Sequence, residues 1–413
     1  MMPTEVFALG LGLEEPWKLL DIQFDASVVP NRLNLKIGAD RGALYPCPEC
    51  GDLCKAHDFQ EMTWRHLNFF QHHCYLTASV PRVNCPNHGI HRTNVPWSRE
   101  GSAFTLLFEQ VVLTLAREMP VNALSRHIEE HDTRLWRIIR HYVSEAMNKL
   151  DLESVKHVGI DETARSRGHN YVTTFIDMDR EDRPVIFCTQ GKGQETVKEF
   201  KRFLETHKGT PRNIAQVVCD MSPAFLGSVD KEFPSAAVTV DWFHIVKHFT
   251  DAVDSVRRLE AKRERFPKGS RWALLKGDAA RTENQKAALE DLFSRGLKTA
   301  KAFLIKEKLR WVRDADDQSS ARWRMTNFLK FSHEQVGGDE PVLEPIREAL
   351  RTLERHMGQV LERWKSYLTN ARMEGMNGLF QAVRSRARGY RNAATFITMI
   401  YLIGAPISEI LWP

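Results

Sequence analysis

Residues 157–162 read HVGIDE, and the fold of the chain is decided by this short stretch. The apolar run 158–160 is followed directly by Asp161, which predicts a buried strand that ends in a carboxylate. Residues 215–220, AQVVCD, repeat the pattern and end at Asp220. A carboxylate just past a buried strand lies at the rim of a sheet, where a site can form without disrupting the core. We therefore expect Asp161 and Asp220 to belong to one site.

A third acid, Glu374, lies far downstream in residues 370–377, NARMEGMN. Converging carboxylates need a counter-charge, and hard oxygen ligands of this kind suit Mg²⁺ or Mn²⁺. Two such ions a few Å apart hold the attacking and leaving oxygens of a phosphodiester in line. The pattern of Asp161, Asp220 and Glu374 therefore predicts phosphoryl transfer on nucleic acid.

Other polar residues near these acids are alternatives or additions to the site. Glu162 is the second choice to Asp161, because strand alternation sends it to the opposite face. Asp177, on a neighbouring predicted strand, is a possible metal-facing substitute. Residues 241–244, DWFH, end another strand, and His244 either orients a water or phosphate oxygen or satisfies a helix N-terminus. We favour a catalytic role for His244.

The order of predicted elements around the acids indicates a mixed sheet covered by helices. Strands are predicted at 171–178, 183–189 and 236–241, and a helix at 195–207. This order is expected of an RNase H-like fold, with the acids on the first strand, the fourth strand and a late helix. The chain is therefore predicted to be a multidomain α/β protein.

The predicted domains follow changes in pattern along the 413 residues. The segments are a small zinc-binding β module at 1–100, a helix-turn-helix region at 101–150, the first part of the RNase H-like core at 151–250, a helical insertion at 251–365, and a C-terminal catalytic helix with a basic segment at 366–413. In the first segment Leu33, Leu35 and Ile37 alternate with polar residues, which predicts a strand.

Five of the seven cysteines lie between positions 47 and 85, and two residue pairs there have the spacing of metal ligands. Cys47 and Cys50 form one C-x₂-C knuckle, and Cys85 and His88 form a second with the same spacing. Together they predict a tetrahedral structural zinc site, because a module of this size has a small hydrophobic core and needs a bound metal to stabilise its fold. Cys54 and His57 have the same spacing and remain an alternative pair.

Residues 119–128 and the helix predicted from Asp132 to His141 have the pattern of a helix-turn-helix. On the second helix the apolar residues Leu135, Ile138 and Ile139 are predicted to face inward. The other side carries three arginines that are predicted to reach DNA phosphates or bases, namely Arg134, Arg137 and Arg140. An ordinary helical hairpin with a solvated basic face is the alternative.

Positive charge is concentrated near the C-terminus. The chain as a whole is only mildly basic, with a net charge of +5 and a pI near 8.8. A second set of predicted DNA-binding residues continues the helix of Glu374, namely Arg384, Arg386, Arg388 and Arg391. The composition, with 42% hydrophobic residues, no long apolar run and no secretory pattern, predicts a cytoplasmic protein that joins the nucleoid when it binds DNA.

These motifs resemble the bacterial insertion-sequence transposases of the ISL-three type, which are DDE enzymes with a zinc module and an RNase H-like domain. The resemblance covers nearly the whole chain, and its most specific parts are residues 372–377, RMEGMN, and 386–392, RARGYRN. The other matching parts are the Cys47/Cys50 and Cys85/His88 pairs and residues 159–162, 219–222 and 241–244. His88 departs from the pattern, since many relatives have Cys at that place.

The resemblance implies that Asp161, Asp220 and Glu374 are the catalytic triad and bind Mg²⁺ or Mn²⁺. It also implies an enzyme that binds terminal inverted repeats and target DNA as a homodimer or larger assembly, and that cuts DNA and joins 3′-hydroxyl ends. Two other functions fit the residues: an RNase H-like nuclease that does not join strands, and a DNA-binding regulator without catalysis.

Overall fold

The computed structural model describes residues 3–40, 42–166, 168, 170–277, 280–338, 340–368 and 371–411. The chain forms two compact units, Met1–Arg140 and His141–Pro413. Every described helix falls short of the length or the hydrophobicity that a bilayer crossing requires.

The first unit contains a six-stranded sheet. Its strands are β1 (Trp17–Asp25), β2 (Arg32–Ala39), β3 (Leu44–Pro46), β4 (Leu53–Phe69), β5 (His72–Cys85) and β6 (Gly89–Arg92). They follow the order β1-β2-β5-β4-β3, and β6 pairs with β5. The long strands β4 and β5 form an antiparallel hairpin, while β2 runs parallel to β5. The predicted β-rich character of this region is therefore confirmed.

Alternation along β2 sets the core of this sheet. Leu33, Leu35 and Ile37 are at most 4% exposed, and they belong to one apolar cluster with Trp17 of β1 and Trp64 of β4. Successive strand residues point to opposite faces, so burying every second residue leaves the polar residues between them toward solvent. The sequence predicted this strand from the same alternation.

One helix of the first unit precedes the sheet in sequence, and the others follow it. They are α1 (Pro3–Gly10), α2 (Leu106–Glu118), α3 (Val121–Ile128) and α4 (Asp132–Lys149), and the boundary between the units falls inside α4. Thr105 caps α2, because its hydroxyl oxygen accepts a hydrogen bond from the Phe108 amide at 3.3 Å. The Thr105 amide donates to the carbonyl oxygen of Arg65 on β4 at 3.0 Å, which ties the start of α2 to the hairpin.

The second unit contains a five-stranded mixed sheet, which confirms the predicted mixed topology. Its strands are β7 (His157–Ser166), β8 (Asn170–Asp177), β9 (Val185–Gln190), β10 (Gln216–Cys219) and β11 (Ala237–Val240). They follow the order β11-β10-β7-β8-β9. The pairs β7–β8 and β8–β9 are antiparallel, whereas β10 is parallel to both β7 and β11. The first three strands form a meander, and the last two enter through helical crossovers.

Helices precede and follow the short parallel strands. They are α5 (Gln194–Thr206), α6 (Pro223–Glu232) and α7 (Trp242–Glu260). The predicted helical region 251–365 is confirmed as helical in its described part. It contains the end of α7, then α8 (Ser270–Leu275), α9 (Glu283–Ser294), α10 (Lys298–Arg313), α11 (Gln318–Gln335), α12 (Glu344–Arg355), α13 (Met357–Leu361) and α14 (Arg363–Ser366). These helices share one large apolar core with α7.

The chain then returns to the sheet through α15 (Ala371–Arg386), α16 (Ala393–Gly404) and α17 (Ile407–Leu411). The Tyr401 hydroxyl of α16 accepts a hydrogen bond from the Cys188 amide of β9 at 2.7 Å. A Cβ atom at Gly404 would lie 2.7 Å from Val185 and 2.8 Å from Met376. Glycine therefore allows α15, α16 and β9 to approach closely here, and this packing holds α15 against the sheet.

Candidate functional site

Four predicted zinc ligands come together at the end of the first unit's sheet. The ligand atoms of Cys47, Cys50, Cys85 and His88 all lie within 4.8 Å of one another, and no other group of three or more such ligands in the described ranges does so. The Cys85 sulfur is 3.5 Å from His88 Nδ1 and 3.8 Å from the Cys50 sulfur. Three thiols and one imidazole at this spacing fit a tetrahedral Zn²⁺ ion.

Backbone geometry makes the two knuckles similar. Each ligand pair is followed by a glycine in the left-handed region, Gly51 at φ 78° and Gly89 at φ 80°, so the chain can turn back sharply without a side-chain clash. The backbone amide of Asn87 is the main cause that lowers the pKa of Cys85 to about 6. Amides that donate to the sulfur favour the thiolate, which is the form that binds a metal.

The alternative ligand pair Cys54 and His57 is not gathered with the other ligands. Cys54 is buried in the small apolar cluster beside Cys47 and Cys85, and burial raises the pKa of its thiol. His57 is exposed on β4. The arrangement therefore favours the Cys47, Cys50, Cys85 and His88 set, with Cys54 as a packing residue.

The predicted helix-turn-helix corresponds to α3 and α4, joined by the turn 129–131. Glu129 ends α3 in the left-handed conformation, at φ 54°, and its carboxylate accepts from His73 Nε2 of β5 at 2.7 Å. Leu135, Ile138 and Ile139 are at most 1% exposed, so the predicted inward face of α4 is confirmed. The turn is therefore held against the sheet of its own unit.

The three arginines of α4 have different surroundings. Arg134 donates to Glu130 at 2.8 Å, and its guanidinium lies over the Phe104 ring at 4.3 Å. Arg140 lies over the Trp136 ring at 5.6 Å. Arg137 is exposed. Arg134 thus has partners within the protein, whereas Arg137 and Arg140 are exposed; a DNA contact stays a prediction for all three.

Asp161 and Asp220 lie near the same edge of the second unit's sheet. Asp161 is on β7, and Asp220 directly follows β10, whose pairing with β7 ends at Gly159. Parallel neighbouring strands bring their carboxyl ends together, as the sequence predicted. The Ser222 amide donates to Asp220 Oδ1 at 2.8 Å, so a tight turn holds this carboxylate at the rim.

Helix α15 carries Glu374 to this edge through polar contacts along one helical face. Asn377 Nδ2 donates to Asp161 Oδ2 at 2.7 Å. Gln381 Nε2 donates to Thr163 Oγ1 at 2.6 Å, and Arg384 Nη1 donates to the Ala164 carbonyl oxygen at 2.8 Å. Asn377, Gln381 and Arg384 therefore fix α15 along β7, and the charge of Asp161 acts on Glu374 in the first turn of the helix.

The acidic side chains at this edge perturb one another. Burial, followed by the charge of Asp241, raises the pKa of Glu374 to about 7. Burial, followed by the charge of Asp220, raises the pKa of Glu162 to about 7. Burial also raises the pKa of Asp161, and the charges of Asp220 and Asp241 add to this effect. These shifts indicate that several carboxylates crowd a partly desolvated space.

His244 and Asp241 complete this edge. The Asp241 amide donates to the Cys219 carbonyl oxygen at 3.0 Å. The Asp241 residue is 4% exposed. His244 Nδ1 lies 3.4 Å from Asp241 Oδ2, and this carboxylate is the main cause that raises the pKa of His244. The sequence placed His244 here but gave Asp241 no role of its own.

The donor set at this edge fits divalent cations. Within the described ranges Asp241 Oδ2 and Asn377 Oδ1 are buried without a hydrogen-bond partner, and such atoms normally bind water, an ion or a protein donor. They are hard oxygen atoms beside Asp161 and Glu374, as Mg²⁺ and Mn²⁺ prefer. The oxygens of Asp161, Asp220 and Glu374 are not all within 4.8 Å of one another.

The sequence offered Asp177 and Glu162 as alternative acids for the metal site, and the structure places them differently. Asp177 pairs with Val158, near the N-terminal end of β7, whereas Asp161 pairs with Thr174, and the Asp177 carboxylate accepts from the Asp179 amide at 2.9 Å. It is therefore wrong as a substitute ligand, because antiparallel pairing carries it away from this edge. Glu162 lies closer to the catalytic edge than strand alternation suggested, because the charge of Asp220 acts on it. This is possible because β7 continues past the end of its pairing with β10.

The basic segment after Glu374 is anchored to β7. Arg165, which the sequence analysis missed, donates to the Tyr390 and Arg391 carbonyl oxygens at 3.3 and 3.4 Å. Arg384 is half-buried through its bond to Ala164. The remaining predicted DNA contacts here are exposed, namely Arg386, Arg388 and Arg391. Arg165 was missed because its partners lie more than 220 residues away in sequence, so no neighbouring residues indicate its role.

Family models match three successive parts of the chain. A model described as a transposase, of the DDE type of family ISL3, matches residues 158–400. A helix-turn-helix domain of transposase family ISL3 matches residues 93–143. A zinc finger of transposases IS204, IS1001, IS1096 and IS1165 matches residues 44–88, which include all four gathered ligands.

Curated relatives agree with these matches over most of the chain. The transposase for insertion sequence element IS1557 of Mycobacterium tuberculosis is 26% identical over 345 residues, which are 76% of this chain and 77% of the relative. The transposase for insertion sequence element IS1001 of Bordetella parapertussis is 23% identical over 366 residues, or 86% of this chain and 87% of the relative. Since the transposase model alone covers more than half of the sequence, the chain belongs to the ISL3 family of transposases.

Proposed function

We propose that this chain binds the terminal inverted repeats of an insertion sequence, cleaves DNA strands there and joins the freed 3′-hydroxyl ends to target DNA. The observation that carries the proposal is the convergence of Asp161, Asp220 and Glu374 at one sheet edge in a member of a transposase family. A Mg²⁺-dependent cleavage and joining assay on repeat-bearing DNA tests it.

An RNase H-like catalytic core is part of this proposal. The sheet order β11-β10-β7-β8-β9, with an antiparallel meander followed by two parallel strands, supports it. Asp161 is on the first strand of this sheet, Asp220 follows the fourth, and Glu374 is on a late helix. The helices between Asp220 and Glu374 then form an insertion with its own apolar core.

The chemistry follows from what these side chains can hold. When bound to Asp161, Asp220 and Glu374, two divalent cations would supply a polarised oxygen nucleophile and stabilise the charge on the leaving oxygen. Asn377 fixes the Asp161 carboxylate through the 2.7 Å bond to Oδ2, and Oδ1 accepts from the Glu162 amide at 2.7 Å. Gln381 and Arg384 fix the helix that carries Glu374 to β7. The protein thus positions the phosphodiester and its charge, and forms no covalent bond to DNA.

His244 has a positioning role in this proposal. Its raised pKa, caused mainly by Asp241, favours the imidazolium form near the carboxylates. A cationic donor at this rim can hold a non-bridging phosphate oxygen or a water in the orientation that the reaction needs. The helix-terminus alternative has less support, because Nδ1 of His244 faces the carboxylate of Asp241, the N-cap residue of α7, and that carboxylate makes no capping hydrogen bond.

Replacing Asn377 by Ala should lower the cleavage rate and the Mg²⁺ affinity together. The bond between Asn377 and Asp161 orients a proposed metal ligand, and loss of such a partner typically costs about 10–100-fold in affinity or activity. Cleavage rates measured over a Mg²⁺ series would give both values. Asn327→Ala, on an exposed face of α11, is the matched control and should leave both unchanged. A normal Mg²⁺ dependence for Asn377→Ala would contradict this role.

DNA recognition is proposed for the zinc module, the helix-turn-helix and the exposed arginines. In a helix-turn-helix the second helix enters the major groove, which here presents Arg137 and Arg140 of α4. The exposed Arg386, Arg388 and Arg391 would contact phosphates near the catalytic edge. We further propose that the enzyme acts as a homodimer or larger assembly, because two ends of the element must be brought together.

Arg137→Ala and Arg134→Ala should have different effects. If Arg137 contacts a phosphate, its loss weakens DNA binding and reduces the salt slope by about 1. Arg134 packs on Phe104 and pairs with Glu130, so its loss should lower the melting temperature and leave the slope unchanged. Binding measured from 50 to 300 mM salt, with thermal melts, tests both. A reduced salt slope in Arg134→Ala together with a lower melting temperature in Arg137→Ala would refute this distinction.

Two other functions make different predictions. A nuclease of RNase H-like fold would cut DNA without joining the ends, and a DNA-binding regulator would bind without cutting. The carboxylate cluster favours catalysis over the regulator, because crowded acids destabilise a fold unless they serve a site. Strand joining separates the transposase from the nuclease.

A further inference from the structure

Asp241 is placed at the catalytic edge by the sheet itself. Strand β11 pairs with β10 in register up to Cys219 and Val240, so the next residues, Asp220 and Asp241, leave the sheet side by side. The Asp241 amide donates to the Cys219 carbonyl oxygen at 3.0 Å, which continues the ladder by one step. Asp241 is therefore as firmly positioned as Asp220, and it is more deeply buried, at 4% exposure.

Asp241 does not act as a side-chain cap, which is the ordinary structural role of an aspartate at the start of a helix. Asp241 is the N-cap of α7, yet its side chain makes no capping hydrogen bond. Its Oδ2 atom has no hydrogen-bond partner among the described residues. His244 Nδ1, at 3.4 Å, is nearby but is itself unpartnered within the same ranges. A buried carboxylate that makes no capping bond, and whose ion pair with His244 is as long as 3.4 Å, is incompletely satisfied unless a ligand completes it.

The neighbours of Asp241 show which ligand would complete it. Of the charged groups that act on Glu374, Asp241 is the strongest, and Asp241 also acts on Asp161. The positive groups that face it are His244 of α7 and the half-buried Arg363 of α14. Asp220, in contrast, is the charge that acts most strongly on Glu162. The acids thus fall into an Asp241–Glu374 side and an Asp220–Glu162 side, with Asp161 influenced by both Asp220 and Asp241.

We propose that Asp241 is a fourth carboxylate of the metal site and shares one divalent cation with Glu374. This inference rests on the proposed two-ion function, and it adds a ligand to the triad of Asp161, Asp220 and Glu374. Asp161 then lies where it can contact both ions, which is the arrangement that a bridging carboxylate needs. His244, whose Nδ1 lies 3.4 Å from Asp241 Oδ2, would orient this carboxylate as a positioning residue.

Substitution of Asp241 should separate folding from metal binding. In full-length protein without added divalent ion, Asp241→Asn removes one of several crowded acids, so the melting temperature should rise or stay unchanged. With saturating Mn²⁺ the wild type should gain thermal stability by mass action, and Asp241→Asn should gain clearly less. Direct Mn²⁺ titration followed by electron paramagnetic resonance should find two ions per wild-type chain and at least about tenfold weaker binding of one ion in the variant.

Two further variants make the result specific. Asp251→Asn changes an exposed aspartate on the same helix and should match the wild type throughout. His244→Gln should reduce Mn²⁺ binding less than Asp241→Asn does, because it removes a positioning residue and keeps the carboxylate. Equal losses in His244→Gln and Asp241→Asn would overturn direct ligation.

The remaining outcomes distinguish this inference from the proposed function. A lower melting temperature with unchanged Mn²⁺ binding in Asp241→Asn would make Asp241 a structural residue and overturn the inference alone. If the wild type binds no Mn²⁺ at this site, the proposed two-ion function itself fails.

Discussion

Asp161→Ala is expected to abolish strand cleavage while DNA binding persists. The Asp161 carboxylate would hold the divalent cations with Asp220 and Glu374, and Asn377 orients it through a hydrogen bond of 2.7 Å. Ions in such a site contribute several kcal/mol of charge stabilisation in the transition state. Loss of roughly 4 kcal/mol corresponds to about 10³-fold in rate. A cleavage assay with labelled repeat DNA and 5 to 10 mM Mg²⁺ would measure the rate, and a gel-shift assay would measure binding.

Controls for Asp161→Ala are available in the same unit. Asp220→Ala and Glu374→Ala should lose activity to a similar extent, because the triad acts as one site and its losses do not add. Asp230→Ala, at an exposed position on α6, should cleave at the wild-type rate. Cleavage within about tenfold of wild type in Asp161→Ala would remove this residue from the site.

Cys85→Ser should have the largest effect on folding, confined to the first unit. A structural zinc ion in a small module contributes on the order of 10 kcal/mol to its folding, and serine does not supply the thiolate. Cys85 lies 3.5 Å from His88 Nδ1, so the ligand set would lose its geometry. Zinc content measured by mass spectrometry should fall from one ion per chain to none, with loss of repeat binding. Chelator treatment of the wild type should reproduce the loss.

Cys54→Ser is the matched comparison for this result. Cys54 is buried beside the same cluster but lies outside the gathered ligands. The variant should keep its zinc and lose only about 1–3 kcal/mol of stability for a poorly paired buried hydroxyl. Zinc loss in Cys54→Ser together with zinc retention in Cys85→Ser would mean that the alternative ligand pair is used.

The strands of the second unit were predictable because their signals are local. The apolar runs before Asp161 and Asp220 appear as β7 and β10, and the run at 236–241 appears as β11. Parallel pairing of these strands then determines which ends meet. The zinc knuckles were equally local, since a C-x₂-C turn places two ligands without help from distant residues.

The details of the site were less predictable because they depend on distant parts of the chain. Asn377 reaches Asp161 across 216 positions in sequence, and only the packing of α15 on β7 brings them together. The burial of Asp241 likewise depends on helices that lie far away in sequence. A local pattern shows that a residue is polar, but burial and coupling arise from tertiary packing.

The arginines illustrate a second limit of sequence reasoning. Arg134 and Arg137 lie on the same helix, but Phe104 and Glu130 engage only Arg134. Arg384 likewise belongs to the basic segment, yet it donates to the Ala164 carbonyl oxygen. A guanidinium can pack on an aromatic ring, bind a backbone carbonyl or contact a phosphate. The sequence alone does not distinguish these uses.

A strand-transfer assay tests the central proposal most directly. Wild-type protein, Mg²⁺ and a labelled duplex that carries the element's terminal repeat would be incubated with unlabelled target DNA. We predict cleavage at the end of the repeat to leave a 3′-hydroxyl, followed by labelled products joined to the target. Cleavage without joined products would indicate a nuclease, and repeat binding without cleavage in either Mg²⁺ or Mn²⁺ would indicate a regulator; either result would contradict the proposed function.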